Sequence, residues 1–273
     1  MKKVLVVLSE YGYWGEELVG PLEVLDASGY QTVFMTPEGK RPHALPPSMT
    51  PGFWDPPLDK VVTDEHYGNL TREVDESTRL DKPLNLREWF PQRPYFNSAN
   101  FGHALEAYHN ERERCWGDLQ AYDALLMVGG SGPMIDMANN QRLHDVILGF
   151  YRQDKLIAAE CYAVACLAFA RDFVERKCII RGRHVTGHAV EYDWLDLTGV
   201  LGIDANLRTP FYPLEHILRD SVAPGGEYHG GVGKSRSTVL DYPFLTGRST
   251  QDSRLVGELI VEVLERGLRK YGW

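Results

Sequence analysis

The sequence predicts an α/β fold, a three-layer sandwich in which a mostly parallel central sheet lies between two layers of helices. Residues 4–8 form a continuous apolar run, which is typical of a parallel strand buried on both faces. Residues 21–28 show a helical pattern with Pro at its start and Gly29 after its end, and residues 30–35 form a second strand-like run. A strand, a helix and a strand in this order indicate a parallel sheet.

The same alternation of strands and helices returns in the second half of the chain. A strand is predicted at residues 124–128, and apolar side chains at helical spacing predict a helix over residues 141–152. A short strand at residues 156–159 precedes a helix through the segment AVACLAFA. Further predicted elements are short strands at residues 178–180 and 184–186, a late strand region at residues 237–245, and a last helix opened by Ser249, with Asp252 at capping-box spacing.

Composition and charge limit the classes of function. The chain has 273 residues, 43% of them hydrophobic, which is enough for one large domain with a substantial core. Its 29 Lys and Arg residues against 38 Asp and Glu residues give a formal net charge of −9, so a nucleic-acid partner is not expected. The sequence shows no signal peptide and no apolar run of about 18 residues, so we expect a cytoplasmic protein without a membrane partner.

The four cysteines form neither a CxxC pair nor a cluster with zinc-finger spacing. We therefore expect free thiols in a reducing compartment, no metal and no cofactor.

Residues 37–118 differ in character from the rest of the chain. Prolines cluster at the start of this segment, charged stretches such as REVDESTRLDK follow, and aromatic residues are scattered through it. One interpretation is a long surface excursion; the interpretation we prefer is an inserted cap or lobe over a pocket within a single domain of residues 1–273. A disordered linker would hold fewer aromatic residues, and long ordered insertions are often binding loops or lids.

The segment LIAAECYAVACLAFA contains the candidate catalytic residue, Cys161. An apolar strand ends at Ala159, an apolar helix begins near Tyr162, and the small residues Ala159 and Ala163 flank the cysteine. This is the steric pattern of a nucleophile elbow, in which the nucleophile sits on a strained strand-to-helix turn. The helix start favours the thiolate, and the Tyr162 amide would face charge that develops on an attacked carbonyl oxygen.

The alternative for any of the four cysteines is a buried structural role, since free cysteine is often fully buried. We expect that role for Cys166, which lies inside the predicted helix, and for Cys115 and Cys178.

The Gly-rich segment GGSGPM follows the strand predicted at residues 124–128. The glycines at Gly129 and Gly130, with Ser131, would let backbone amides approach a substrate oxyanion. The segment lacks the Lys and Ser or Thr of a P-loop, so phosphate binding is not indicated. An ordinary turn between strand and helix is the alternative.

Four segments, taken in order, resemble the ThiJ/PfpI superfamily, whose flavodoxin-like fold is similar to that of class I glutamine amidotransferases. They are KKVLVVLS, GEELVGPLEVLDASGY, DALLMVGGSG and LIAAECYAVACLA, and the later RGRHVTG and FLTGRSTQDSRLVGELI look like the family's late strand and final helix. The long insertion and the VTG and FLTG segments are most similar to the glyoxalase III and heat-shock chaperone branch. The resemblance implies the same sandwich fold, and it implies a homodimer because the family commonly forms dimers.

The resemblance also implies a proton partner for the cysteine. The family pattern has a glutamate four residues before a proline in the first helix region, which places Glu17 before Pro21. In the family this acid is protonated and hydrogen-bonds the cysteine sulfur. An apolar pocket raises the pKa of a carboxyl group, so that it can donate a hydrogen bond or move a proton.

The chain departs from the family pattern at two positions. Many relatives have His directly after the cysteine, where this chain has Tyr162, and the chaperone branch often has His in the Gly-rich loop, where this chain has Ser131. An acidic triad member near Asp193, or Glu191, then has no obvious imidazole to orient, so a simple Cys-His-Asp relay is not expected.

Three outcomes are open for the missing imidazole. His188 or His229 fills the role; or Cys161 and Glu17 suffice, as in isocyanide-hydratase-like branches; or activity is lost or changed. The Tyr162 side chain itself has two alternative roles: it donates a hydrogen bond to the substrate, or it only packs against its neighbours.

We therefore expect a cysteine-dependent enzyme that acts on a small electrophilic carbonyl or a related small molecule, of the glyoxalase III, hydratase or lyase type. An amidase or peptidase needs a base to protonate an amine leaving group, and the missing His argues against it. The sequence is also compatible with a holdase chaperone, with a sensor whose thiol is oxidised to sulfinate, and with a biosynthetic enzyme that has its own substrate.

Overall fold

A mixed eight-stranded sheet lies at the centre of the computed structural model, which describes residues 1–55, 59–97, 99–192, 213–230 and 237–273. In chain order the strands of the described residues are β1 (Lys3–Val7), β2 (Gln31–Thr36), β3 (Trp54–Asp55), β4 (Lys60–Val61), β5 (Leu84–Asn85), β6 (Ala124–Met127), β7 (Leu156–Glu160), β8 (His184–Val185), β9 (Glu227–Tyr228), β10 (Thr238–Asp241), β11 (Phe244–Gly247) and β12 (Lys270–Tyr271).

The order of the central sheet is β12-β10-β11-β7-β6-β1-β2-β5. The strands from β11 to β5 in this order pair in parallel, and β10 pairs antiparallel with both β11 and β12. The hairpin β3-β4 and the short parallel pair β8-β9 lie outside this sheet. The sheet is therefore mostly parallel, which confirms the prediction from the sequence.

Helices cover both faces of the sheet. Within the described residues they are α1 (Gly15–Ala27), α2 (Glu65–Glu76), α3 (Leu86–Trp89), α4 (Phe101–Asp118), α5 (Pro133–Asp136), α6 (Gln141–Arg152), α7 (Ala165–Phe169), α8 (Leu214–Val222) and α9 (Ser253–Arg266).

The side chains of β1 show that a separate core lies on each face of the sheet. Alternate residues of β1 point to opposite faces. Val4 and Val6 share a core with α1 and α9, whereas Leu5 and Val7 share one with α4, α6, α7 and α8. The sandwich has the three predicted layers.

Helix α1 begins at Gly15, earlier than the sequence pattern predicts, and contains Pro21 in its interior. Proline inside a helix removes a hydrogen bond and is costly in isolation. Here α9 lies so close that a Cβ on Gly257 would approach Pro21 Cα to 2.8 Å, so helix packing outweighs the local cost. The early start places Glu17 in the first turn of α1, beside the strand ends.

Three shorter predictions need correction. The segment after Cys161 is first a 3₁₀ turn over Cys161–Val164, and α7 then covers only Ala165–Phe169. Residues 178–180 do not form a strand: Cys178 makes a single bridge to Arg171, and the backbone then turns, with the Arg181 N–H donating to the Cys178 carbonyl. Residues 237–245 hold two antiparallel strands, β10 and β11, joined at Tyr242 and Pro243. The predicted capping box of Ser249 and Asp252 is present.

The segment 37–118 is distributed around the sheet. Its helix α2 packs against α1, its strand β5 extends the sheet beside β2, and α4 packs against α6. Phe53 reaches Trp14, with ring centroids 6.5 Å apart, and the Trp14 N–H donates to the carbonyl oxygen of Gly129 at 3.1 Å. One end of the segment therefore lies next to the Gly-rich loop.

Candidate active site

The carboxyl ends of β6 and β7 bring the Gly-rich loop and the cysteine turn together. β7 is buried along its whole length, and the chain reverses direction at Cys161, whose φ is +52°. A non-glycine residue with positive φ is strained, and such strain clusters at functional sites. The side chain is only 6% exposed. The turn therefore has the backbone strain that the elbow pattern predicts, and it holds the sulfur in a narrow site.

Two backbone N–H groups face the Cys161 sulfur. They belong to Gly130, in the loop after β6, and to Tyr162, the next residue along the chain, and both lower the pKa of the thiol. Gly130 has a φ of +97°, and a Cβ there would lie 2.5 Å from the Trp14 nitrogen, so only glycine fits. The same two donors are suited to an oxyanion that forms next to the sulfur.

Glu17 lies against the same sulfur from the first turn of α1. It is 2% exposed, and its carboxyl group hydrogen-bonds the Cys161 side chain and the Gly129 backbone. Burial raises the pKa of Glu17 to about 8, although these two hydrogen bonds oppose the shift; the carboxylates of Glu16 and Asp252 raise it further. Gly129 has no room for a side chain, because a Cβ would collide with Glu17 Oε2. At neutral pH Glu17 is mostly protonated.

The thiol does not have the low pKa that the helix start predicts. Burial raises the pKa of Cys161 well above its ordinary value, and the Glu17 carboxylate raises it further, while the amides of Gly130 and Tyr162 act in the opposite direction. A four-residue 3₁₀ turn also replaces the full α-helix that was expected there. The cysteine and Glu17 therefore retain at least one proton between them at neutral pH, and their titrations are linked.

Glu160 is a second buried acid in the site, to which the sequence pattern assigns no role. It ends β7 and is fully buried, and neither of its carboxyl oxygens meets a donor at ordinary hydrogen-bond distance among the described residues, although the Ser253 side chain is near enough to lower its pKa. Burial raises its pKa well above the ordinary value, and the Glu17 carboxylate raises it further. Its signal in the sequence is a glutamate that ends the otherwise apolar strand LIAAE.

His188 supplies an imidazole to the cysteine. Its Nδ1 atom lies 3.4 Å from Cys161 Sγ. The ring stacks on Tyr162, with centroids 4.0 Å apart and planes 24° apart, and meets Tyr192 edge-on at 5.5 Å. Because these two aromatic rings fix the orientation of the imidazole, Tyr162 acts here as a packing partner of the histidine.

The remaining candidate residues lie elsewhere or outside the described residues. His229 lies against His184, with Nε2 and Nδ1 2.7 Å apart. Ser131 is half-buried in the Gly-rich loop and accepts a backbone hydrogen bond from Met134. Glu191 follows Val190 in a short 3₁₀ turn, and Asp193 lies outside the described residues.

Fold comparisons agree with this architecture. The chain is 20% identical to the 24 kDa Rapid Encystment Protein of Francisella tularensis, covering 97% of this chain and 99% of that one, with a TM-score of 0.66. It is 19% identical to glyoxalase III of Candida albicans, with coverages of 97% and 98% and a TM-score of 0.58. A ThiJ/PfpI domain protein of Brachyspira murdochii is 15% identical over 97% of both chains, with a TM-score of 0.54.

The order of the central sheet and its two helix layers define an α/β sandwich with the same fold as these structures. A family model described as ThiJ/PfpI family-like matches residues 8–186, and the chain belongs to that family. A search of curated proteins found no match. Within the described ranges, no helix combines the length and apolar character needed to cross a membrane.

Proposed function

We propose that this protein is a cysteine-dependent enzyme that acts on a small electrophilic carbonyl compound, with Cys161 as nucleophile. The proposal rests on the groups that meet at the Cys161 sulfur. They are the carboxyl group of Glu17, the imidazole of His188, and the backbone N–H groups of Gly130 and Tyr162. Nucleophile, proton carriers and oxyanion donors are the three parts that addition to a carbonyl requires.

The addition step uses each of these groups once. Cys161 Sγ attacks the carbonyl carbon while His188 Nδ1 accepts the thiol proton. The carbonyl electron pair moves to oxygen, where the N–H groups of Gly130 and Tyr162 stabilise it. Glu17, protonated at neutral pH, donates its proton to this oxygen to give a hemithioacetal, and the imidazolium returns a proton to Glu17 when the reaction is complete.

With a 2-oxoaldehyde as substrate, the same groups complete an isomerisation. The Glu17 carboxylate moves a proton from the carbon that carries sulfur to the neighbouring carbonyl carbon, the hydroxyl proton passes to the neighbouring oxygen, and a thioester results. Water then cleaves the thioester to a 2-hydroxy acid and releases the thiol. The likeness in fold to glyoxalase III of Candida albicans supports this substrate class, and the low exposure of Cys161 favours a small substrate.

The test is consumption of methylglyoxal by the purified chain and by Cys161→Ala. We expect the rate to fall by a factor on the order of 10³ or more, because the bond-forming atom is removed. Cys166→Ala is the matched control, since Cys166 is fully buried in α7, outside the turn over Cys161–Val164. Retained turnover in folded Cys161→Ala would exclude the proposed reaction.

A holdase chaperone is the second candidate function. The observation that favours it is the exposure of Trp54 (51%), Tyr95 (77%) and Phe96 (87%), all within the segment 37–118. Contiguous exposed apolar side chains, such as the neighbours Tyr95 and Phe96, mark surfaces that bind other proteins, and a holdase needs such a surface. Replacing Tyr95 and Phe96 with Ser should then weaken suppression of client aggregation, whereas Cys161→Ala should leave it unchanged. The opposite pattern would exclude the chaperone function.

A further inference from the structure

Two histidines and a glutamate form a cluster that the proposed reaction does not use. His184 is in β8, Glu227 is in β9, and His229 follows β9 directly. The parallel pairing of the two strands places His184 opposite Glu227. One donor atom from each of the three residues lies within 4.8 Å of the other two. The short strand pair therefore brings together donors that are far apart in the sequence.

The backbone around these donors is fixed by hydrogen bonds. The His229 N–H donates to the Val185 carbonyl at 2.8 Å, and the His229 carbonyl accepts from Thr186 Oγ1 at 2.6 Å and Ser237 Oγ at 2.7 Å. The N–H of His184 donates to Asp241 Oδ2 at 3.0 Å. A site whose ligands are held by neighbouring groups binds its ion with little reorganisation.

Trp273 fixes the orientation of one imidazole. The ring of Trp273 stacks on His184 at a centroid distance of 3.6 Å, with planes 7° apart. The Trp273 indole N–H in turn donates to the Leu240 carbonyl at 2.9 Å. The stacked Trp273 ring therefore holds the His184 ring in one orientation. In this orientation His184 Nδ1 lies 2.7 Å from His229 Nε2.

Two imidazole nitrogens and a carboxylate are a donor set that suits Zn²⁺ and related divalent ions. Ligands at about 2.0–2.2 Å from a tetrahedral ion are separated from one another by roughly 3.4 Å. The two imidazoles need to part by less than about 1 Å from their present 2.7 Å to reach that spacing. Glu227 is exposed and the histidines are half-buried, so water can complete the coordination.

We propose that His184, Glu227 and His229 bind one Zn²⁺ ion or a similar first-row divalent ion, with water as the remaining ligand. The ion replaces the hydrogen bond between the two imidazoles. It ties β8 to β9 at the point where Trp273 stacks on His184. Because the ion binds the folded site only, it raises the stability of the folded chain.

The experiment measures Zn²⁺ binding to the full chain after treatment with a chelator, by isothermal titration calorimetry. We expect one ion per chain, and at least tenfold weaker binding in both Glu227→Gln and His229→Gln. Glu227 is exposed, so Glu227→Gln is not expected to disturb folding. The absence of stoichiometric binding, or unchanged binding in both variants, would overturn the proposal.

Two controls separate this cluster from other zinc-binding groups. His66→Gln removes a histidine that lies 3.1 Å from Glu23 in an exposed pair, outside the metal-ligand cluster found in the described residues, and should leave binding unchanged. Cys161→Ala should also leave it unchanged; loss of binding in this variant would place the ion at the thiol and overturn the proposal. Visible absorption bands of the Co²⁺ form without a thiolate charge-transfer band are the spectroscopic result expected.

Discussion

His188 Nδ1 lies 3.4 Å from Cys161 Sγ, although the two residues are 27 positions apart in the chain. In this chain the position directly after the cysteine is occupied by Tyr162, and the Tyr162 ring stacks on the imidazole that reaches the sulfur from the loop after β8. The geometry favours the first of the three open outcomes, in which another histidine takes the role of proton acceptor.

The first prediction concerns His188→Asn. We expect methylglyoxal turnover to fall about 10²–10⁴-fold, the usual contribution of a general base, because the thiol loses its proton acceptor. The measurement is kcat and kcat/KM with circular dichroism as a check on folding. His229→Asn is the matched control, since His229 lies against His184. Equal losses in the two variants would refute the assignment of His188.

The second prediction concerns the pH dependence that Glu17 imposes. Glu17 donates a proton in the proposed reaction, and its pKa is about 8, so activity should fall as the pH rises through about 8. In Glu17→Gln overall activity should be far lower, and what remains should not show this alkaline limb. An alkaline limb that persists unchanged in Glu17→Gln would assign it to another group.

The third prediction concerns the stability cost of Glu160. The folded state raises the pKa of this acid above its unfolded value of about 4.3, so the folded state holds the proton more tightly. The resulting stability is fully present below the unfolded pKa and is lost as the pH rises toward the folded pKa. Glu160→Gln cannot ionise, so its Tm should exceed that of the wild type by a margin that grows as the pH rises above the unfolded pKa of about 4.3.

The Tm series at fixed ionic strength tests this idea directly. Glu258→Gln, on an exposed part of α9 in an ion pair with Arg254, is the control and should follow the wild type. A Tm difference for Glu160→Gln that stays constant with pH would show that the carboxyl group keeps the same pKa in both states.

The fourth prediction separates steric contact from backbone strain at Gly130. Gly130→Ala adds a Cβ at positive φ and also against the Trp14 nitrogen, so we expect a loss of more than about 2 kcal/mol of stability and of most activity. Gly52→Ala, at a φ of +81° with open space around the added Cβ, should cost only about 1 kcal/mol. Equal losses of stability in Gly130→Ala and Gly52→Ala would contradict the prediction. They would show that the structure around Trp14 moves to accept the new Cβ at no cost in free energy.

The order of strands and helices could be predicted from the sequence because buried parallel strands are continuous apolar runs. Helix α6 was predicted with its observed bounds, Gln141–Arg152. The residue pattern predicts a helix start at Pro21, whereas α1 begins at Gly15 and its Pro21 packs against Gly257 of α9, a contact between distant segments. The sequence pattern predicts a lowered pKa for Cys161, but the pKa is raised. The rise depends on burial and on Glu17, which only the fold brings to the sulfur.

Other parts of the site depend on contacts between distant segments, which no local sequence pattern shows. The sequence offered both His188 and His229 as candidate imidazoles, and only the path of the chain after β8 and β9 places one at the sulfur and the other against His184. Glu160 stands beside the cysteine in the sequence, but nothing local to the strand shows that its carboxyl group lies near Glu17.

The central claim is that Cys161 is the reactive nucleophile among four free, buried cysteines. The most direct measurement is peptide mass spectrometry after treatment with a limiting amount of iodoacetamide, with residual methylglyoxal turnover measured on the same samples. We predict that alkylation appears first on Cys161, because His188 Nδ1 accepts its proton and the N–H groups of Gly130 and Tyr162 stabilise the thiolate, although burial disfavours that charge. Activity should fall in proportion to this alkylation. Inactivation without modification of Cys161, or equal modification of Cys166, would contradict the claim.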